Sequence, residues 1–234
     1  MRAVFKRELS AYFQSPLGFV FIAVMYFFTA YYFFTYNLYR NTTDMSTLFD
    51  QLFSVVLFLA PILTMRLMSE DKRAKTDQLL LTAPVSRMGI VLGKYFAALC
   101  VYLIAISATL LVSVVMSAYA EPDWPVIVGN MVGLVLLGAS LIAICMFLSA
   151  LTESQVIAAV CGFAASLFLI LVDALVYVVS GSWFKQLFSY MSFSGRYNGF
   201  TIGIIDFSNV LFFLSIAALF VALTAAVLEK RRWS

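Results

Sequence analysis

Six stretches of this chain stay apolar for about 20 residues or more, at roughly 16–36, 48–67, 93–119, 126–149, 156–180 and 207–228. A helix rises 1.5 Å per residue, so about 20 apolar residues cross a hydrocarbon layer about 30 Å thick. With 63% hydrophobic and 12% charged residues, against about 25% charged in soluble domains, the chain carries more apolar surface than a soluble core absorbs. The expected fold is an all-α integral membrane protein of six transmembrane helices forming one domain over 1–234.

The charges give the expected orientation. Twelve of the fifteen Lys and Arg residues lie at the N-terminus, between Arg66 and Lys94, or in the last six residues; the other three are Arg40, Lys185 and Arg196. Basic residues in short flanks mark the cytoplasmic side. An even number of spans with both termini cytoplasmic satisfies this split, in a multi-pass protein of the cell inner membrane. The net charge of +3 comes from these membrane-edge clusters, so it reads as topology and contact with anionic membrane lipid, with no nucleic acid partner.

Residues 1–15 place Phe5, Leu9, Tyr12 and Phe13 on one helical face and Arg2, Lys6 and Arg7 elsewhere, the pattern of an interfacial helix. The first span, although preceded by positive charge, is long and aromatic without a small-residue cleavage site, and is expected to be retained. Its aromatic residues suit lipid contact and an interfacial belt. Pro61 removes a backbone donor inside the second span, so a kink is expected there, with neighbouring helices or local backbone adjustment satisfying the freed carbonyl.

Several kinds of chemistry are excluded. With no histidine, there is neither a His metal site nor His acid–base catalysis. Cys100, Cys145 and Cys161 all lie in apolar stretches without a CxxC and read as small buried hydrophobes. No metal site and no catalytic residues are expected.

The polar segments are the informative ones. Ser69 is placed to cap a short helix that carries Glu70 and Asp71 in its first turn, pairs Glu70 with Arg73 and Asp71 with Lys75, continues through Leu79, Leu80 and Leu81, and stops at Pro84. From pattern alone, this is either a solvated connector or a docking element. Residues 181–206 are too polar to span and too aromatic for a solvated loop, which suggests short outer-leaflet helices or a re-entrant hairpin before the last span.

The run Arg66, Glu70, Thr76, Leu79, Leu80, Thr82, Pro84 and then Gly93-Lys94 resembles the cytoplasmic motif of type-2 ABC transporter permeases. It looks most like their gliding-motility-associated branch. Leu151-Thr152-Glu153-Ser154-Gln155 and Gly203-Ile204-Ile205-Asp206 are similar to further stretches of that branch. The chain departs from it at Lys75, where the family usually has glycine, and at Gln78, where it has glutamate. The resemblance implies a cytoplasmic coupling helix over 69–83 that docks on a separate ABC ATPase subunit, present in two copies. Glu70, Asp71, Arg73, Thr76, Leu79, Leu80 and Glu153 would be the ATPase-coupling residues. It also implies a second permease subunit, as homodimer or heterodimer, and leaves room for an accessory extracytoplasmic subunit. ATP and Mg would be bound by the ATPase: Gly89-x-x-x-Gly93-Lys94-Tyr95 is one residue short of a P-loop and has no Ser or Thr after the lysine.

Inside the spans, Asp173 and, one turn on, Tyr177 are candidates for the translocation path, weighed against a structural, hydrogen-bonded role within the bundle. Asn130 reads as polar glue between helices. The glycine pairs 89/93, 129/133 and 199/203 have GxxxG spacing and permit close approach of a second helix or backbone. The expected function is that of the membrane-spanning permease of an ATP-driven exporter for an amphipathic, lipid-linked or peptide-like substrate. A passive channel or ion-coupled carrier would show more intramembrane charge. A non-transporting scaffold would use the same loop without moving cargo.

Overall fold

The computed structural model describes residues 1–74, 86–178 and 188–232. Among them are nine α-helices: α1 (Arg2–Gln14), α2 (Pro16–Tyr32), α3 (Ser46–Thr64), α4 (Arg66–Arg73), α5 (Arg87–Ser117), α6 (Trp124–Leu151), α7 (Gln155–Val178), α8 (Phe193–Thr201) and α9 (Phe207–Arg232). A π-helix, Phe33–Leu38, extends α2. Six helical segments are long and apolar enough to cross a membrane: Pro16–Leu38, Ser46–Arg73, Arg87–Ser117, Trp124–Leu151, Gln155–Val176 and Phe207–Lys230. The described part is all-helical, and the six expected spans are present.

The bundle has a centre and a rim. In the second and fourth spans, 67% and 61% of the most apolar window is buried, against 22% in each of the fifth and sixth. Helix α6 is the hub, contacting α3, α5, α7, α8 and α9. Apolar burial does not drive helices together in lipid, so close contacts need small residues and hydrogen bonds. Both occur where α5 meets α6. A Cβ on Gly138 would lie 2.0 Å from Tyr102 Cε1, and this closeness lets the Tyr102 hydroxyl donate to the Leu134 carbonyl at 2.7 Å.

Pro61 has the consequence its missing N–H requires. It leaves the Leu57 carbonyl without its intrahelical donor, and Ser166 Oγ of α7 donates to that oxygen at 2.7 Å. Gly162, one turn before Ser166, has no Cβ to meet Pro61, which would be 2.8 Å away. One turn after Pro61 the helix is interrupted at Met65 and resumes as α4.

Two expectations, about a boundary and a cap, differ from the structure. The third span starts at Arg87, not near 93, so Lys94 is inside a helix and 2% exposed. Ser69 does not cap a helix: it sits within α4, buried, and its hydroxyl donates to the Met65 carbonyl at 2.5 Å. The glycines at 129 and 133 receive a helix of the same chain, since Cβ atoms there would meet Phe200, Gly203 and Tyr197 of the α8 region within 3.0 Å.

Candidate functional site

Both chain ends, the start of α5 and the end of α6 meet at one end of the bundle, and α4 lies among them. Its sequence, Arg66 to Arg73, carries five charges in eight residues. A helix so charged finds partners only at a polar edge of the bundle. There it is held from two sides.

On the first side are α1 and α5. Lys94 Nζ lies 2.6 Å from Asp71 Oδ2 and 3.1 Å from Glu8 Oε1, and donates to the Leu67 carbonyl at 2.6 Å. Glu8 and Asp71 are themselves mostly covered, at 13% and 17% exposure. Arg7 closes the cluster, 2.5 Å from Glu8 and 3.4 Å from Asp71. A buried ammonium is tolerable only when paired and fully hydrogen-bonded; here its three protons have three oxygens from two other helices. Close by, Tyr12 of α1 donates to the Leu63 carbonyl at 2.8 Å. Burial raises the Tyr12 phenol well above its ordinary range, with the nearby Glu8 adding to the effect, so the hydroxyl remains a donor.

On the second side is the end of α6. Ser149 Oγ accepts from the backbone N–H groups of Met68 and Ser69 at 3.3 and 3.2 Å, and donates to the Met65 carbonyl at 3.0 Å. Those N–H groups belong to the first turn of α4, where a helix has no internal acceptors; one serine from another span supplies them. Lys72 Nζ donates to the Ala150 carbonyl, two residues before the turn that carries Glu153.

The residues singled out in the sequence fall into groups. Asp71 is in the buried cluster. Glu70 pairs with Arg66 at 2.7 Å, not with Arg73, which is exposed. Glu153 is exposed between α6 and α7, in a turn where Thr152 Oγ1 accepts the Ser154 N–H at 3.2 Å. Thr76, Leu79 and Leu80 lie outside the described residues, as does the partner expected for Asp71, Lys75. The sequence reading did not single out Glu8, Tyr12, Ser149 or Lys72 for this site. Glu8 was the traceable one: it is the single carboxylate in a basic N-terminal helix.

The opposite end is organised around α8. Asp173 of α7 accepts the Ser194 N–H at 3.3 Å and so caps the first turn of α8, together with Ser192 Oγ, which accepts the Gly195 N–H at 2.8 Å. Asn130 donates to the Val126 carbonyl at 2.8 Å and accepts from the Tyr197 hydroxyl at 3.4 Å. Both polar groups thus have structural partners within the bundle. Tyr177 belongs to α7, but its side chain is outside the described residues. Asp206 Oδ1 accepts the Ser208 N–H at 3.0 Å at the start of α9. Among the described residues no three His, Cys, Asp or Glu side chains cluster as a metal site would require.

Compared with known proteins, residues 3–233 match the sequence model of the ABC-2 family transporter protein. No curated protein matches the chain.

Proposed function

The chain belongs to the ABC-2 transporter family and is a multi-pass membrane permease subunit; from that premise we propose that it drives ATP-powered export by transmitting the motion of a separate ATPase through α4. This family normally works with an ATPase partner. The observation that carries the reading is the Lys94 cluster: one ammonium joins α4 to both α1 and α5. A displacement applied to the segment after Arg73 reaches the third span through Lys94 and the fourth through Ser149. A short element tied to several spans turns rigid-body motion below into tilting above.

In this reading, residues 69–83 form the cytoplasmic coupling helix, with Glu70, Asp71, Arg73, Thr76, Leu79 and Leu80 at or near the ATPase contact. Glu153, beside the Lys72–Ala150 link, belongs to the same docking face. Both termini are cytoplasmic and the membrane is the inner one. Helix α1 lies in the headgroup layer, and the α8 region is a re-entrant element of the outer side. Two permeases, identical or different, assemble with two ATPases that bind ATP and Mg, and an accessory extracytoplasmic subunit has the outer surface available to it. The motifs at 151–155 and 203–206 support placement in the gliding-motility-associated branch. The weakly charged interior favours an amphipathic, lipid-linked or peptide-like cargo. Asp173 supports α8 and bears on the cargo path only through that helix.

The test is co-purification with candidate ABC ATPases, followed by transport in proteoliposomes. Charge reversal at Glu70 and Arg73 together is expected to abolish complex formation and transport. Unchanged complex formation with unchanged ATP-dependent transport overturns the docking role. ATPase binding without ATP-dependent cargo movement by the wild type would mark a scaffold instead.

A further inference from the structure

Spans five and six make little contact with each other; both lean on α6 and leave a groove between them. The groove is a cavity of about 380 Å³. Phe212, Ile216 and Phe220 form its α9 wall at helical i, i+4 spacing, Ala165 and Phe168 belong to the α7 wall, and Phe147 belongs to the α6 floor. Two turns of α9 make it about 12 Å long.

The end of the groove away from the chain termini carries a cation. The Arg196 guanidinium stands 5.3 Å from the centre of the Phe212 ring. It also lines a polar pocket of about 350 Å³ with Asn209, one turn before Phe212 on α9. Its hydrogen bonds go to neutral acceptors, Ser208 Oγ at 3.3 Å and Asn209 Oδ1 at 3.2 Å. The two nearby carboxylates serve backbone N–H groups: Asp173 that of Ser194, Asp206 that of Ser208. Among the described residues no carboxylate pairs with Arg196.

We propose that this groove and Arg196 together bind an anionic phospholipid of the leaflet opposite the chain termini, with one acyl chain between α7 and α9 and the phosphate on the guanidinium. An apolar channel two turns long, ending at a cation that no carboxylate among the described residues pairs, is complementary to a molecule with a hydrocarbon tail and a single anionic head. Each methylene that leaves water contributes about 0.8 kcal/mol to membrane affinity generally, but within the bilayer that term cancels. Selection therefore falls on shape and on the head group. Guanidinium recognises phosphate through paired N–H donors. The proposal needs only the membrane spans and holds whether or not α4 couples to an ATPase.

The test uses the full-length permease in nanodiscs of equal phosphatidylglycerol and phosphatidylcholine, with native mass spectrometry of the lipids retained on release and a phosphatidylglycerol bearing a photoreactive acyl chain. The wild type is expected to retain phosphatidylglycerol about tenfold over phosphatidylcholine, whose phosphate is offset by its own choline ammonium so that the head group has no net attraction to the guanidinium, and to cross-link within α7 and α9. Arg196→Gln is expected to lose the preference but keep the cross-link, Arg196→Lys to keep both, and Ala165→Phe, which fills the groove, to lose the cross-link. Circular dichroism and the melting temperature establish that each variant is folded. Equal retention of the two lipids by the wild type, an unchanged preference in a folded Arg196→Gln, or unchanged cross-linking in a folded Ala165→Phe overturns the site. So does disulfide or photo-cross-linking of the groove to a second copy in place of lipid. Displacement of the lipid by inorganic phosphate alone would show an ion site without an acyl site and would also overturn it.

Discussion

The two ends of this bundle are held by different forces. At the end that carries both termini, α4 is fixed by ion pairs and charge-assisted hydrogen bonds centred on Lys94. At the other, α8 is fixed by aromatic packing and by hydrogen bonds, with no ion pair among the described residues. Phe193 stacks edge-on against Phe213, Tyr197 lies 5.0 Å from Phe53, and Phe200 sits over Gly133. Ion pairs hold strongly over a small range of geometries, so they suit an element that must move with its neighbours as one body. Aromatic packing suits an element that closes the bundle. In the function proposed above, the first end is where motion enters and the second is where the fold resists it.

The largest effect that would sharpen this contrast belongs to Lys94. Lys94→Met removes the buried charge between Glu8 and Asp71 and leaves these two covered carboxylates with only the half-exposed Arg7 beside them. Breaking a buried pair in this way is expected to cost about 3–5 kcal/mol, read as a lowered unfolding midpoint in detergent. A loss under about 1 kcal/mol would mean that the cluster does not hold α4.

At the opposite end, Gly133→Val tests packing. A Cβ there meets Tyr197 at 2.9 Å and Phe200 at 3.0 Å, and overpacking is expected to cost about 1–3 kcal/mol. Trypsin sensitivity after Arg196 should rise while the region around α4 is unaffected. If both ends loosen together, the two regions are one cooperative unit and the comparison breaks.

The next smaller effect is Asp173→Asn. The amide oxygen still accepts the Ser194 N–H, whose present length of 3.3 Å marks a modest bond, so the expected loss is about 1 kcal/mol. A loss of transport far beyond that stability change would return Asp173 to the cargo path.

The smallest stability effect is expected for Glu70→Gln. Glu70 is 46% exposed and its pair with Arg66 is a surface i, i+4 pair, worth about 0.3–0.5 kcal/mol. Weakened ATPase binding without a stability change would place Glu70 at the docking face.

Much of the fold was legible because hydropathy is local. Each span announces itself within about 20 residues. Lys94 misled for the same reason. A lysine at the edge of an apolar run reads as the end of a span, whereas its charge is neutralised by Glu8 and Asp71, which are distant in sequence. No window-based rule sees such partners. The Glu70–Arg73 expectation failed for a related reason: spacing permits Glu70 to pair with either Arg66 or Arg73, and only packing selects between them. The Gly129 and Gly133 spacing correctly signals close approach, but sequence does not say that the approaching element is α8 of the same chain. Ser149 was invisible because a serine near the end of a span looks like any other. Its role depends on α4 lying against the end of α6 and presenting two N–H groups there.

The coupling role proposed for α4 is tested most sharply by transport per ATP hydrolysed in the permease–ATPase complex, compared between wild type and Lys94→Met at a temperature where both are folded. The variant is expected to bind the ATPase and hydrolyse ATP still, with transport per ATP reduced tenfold or more. Transport per ATP equal to that of the wild type would contradict it.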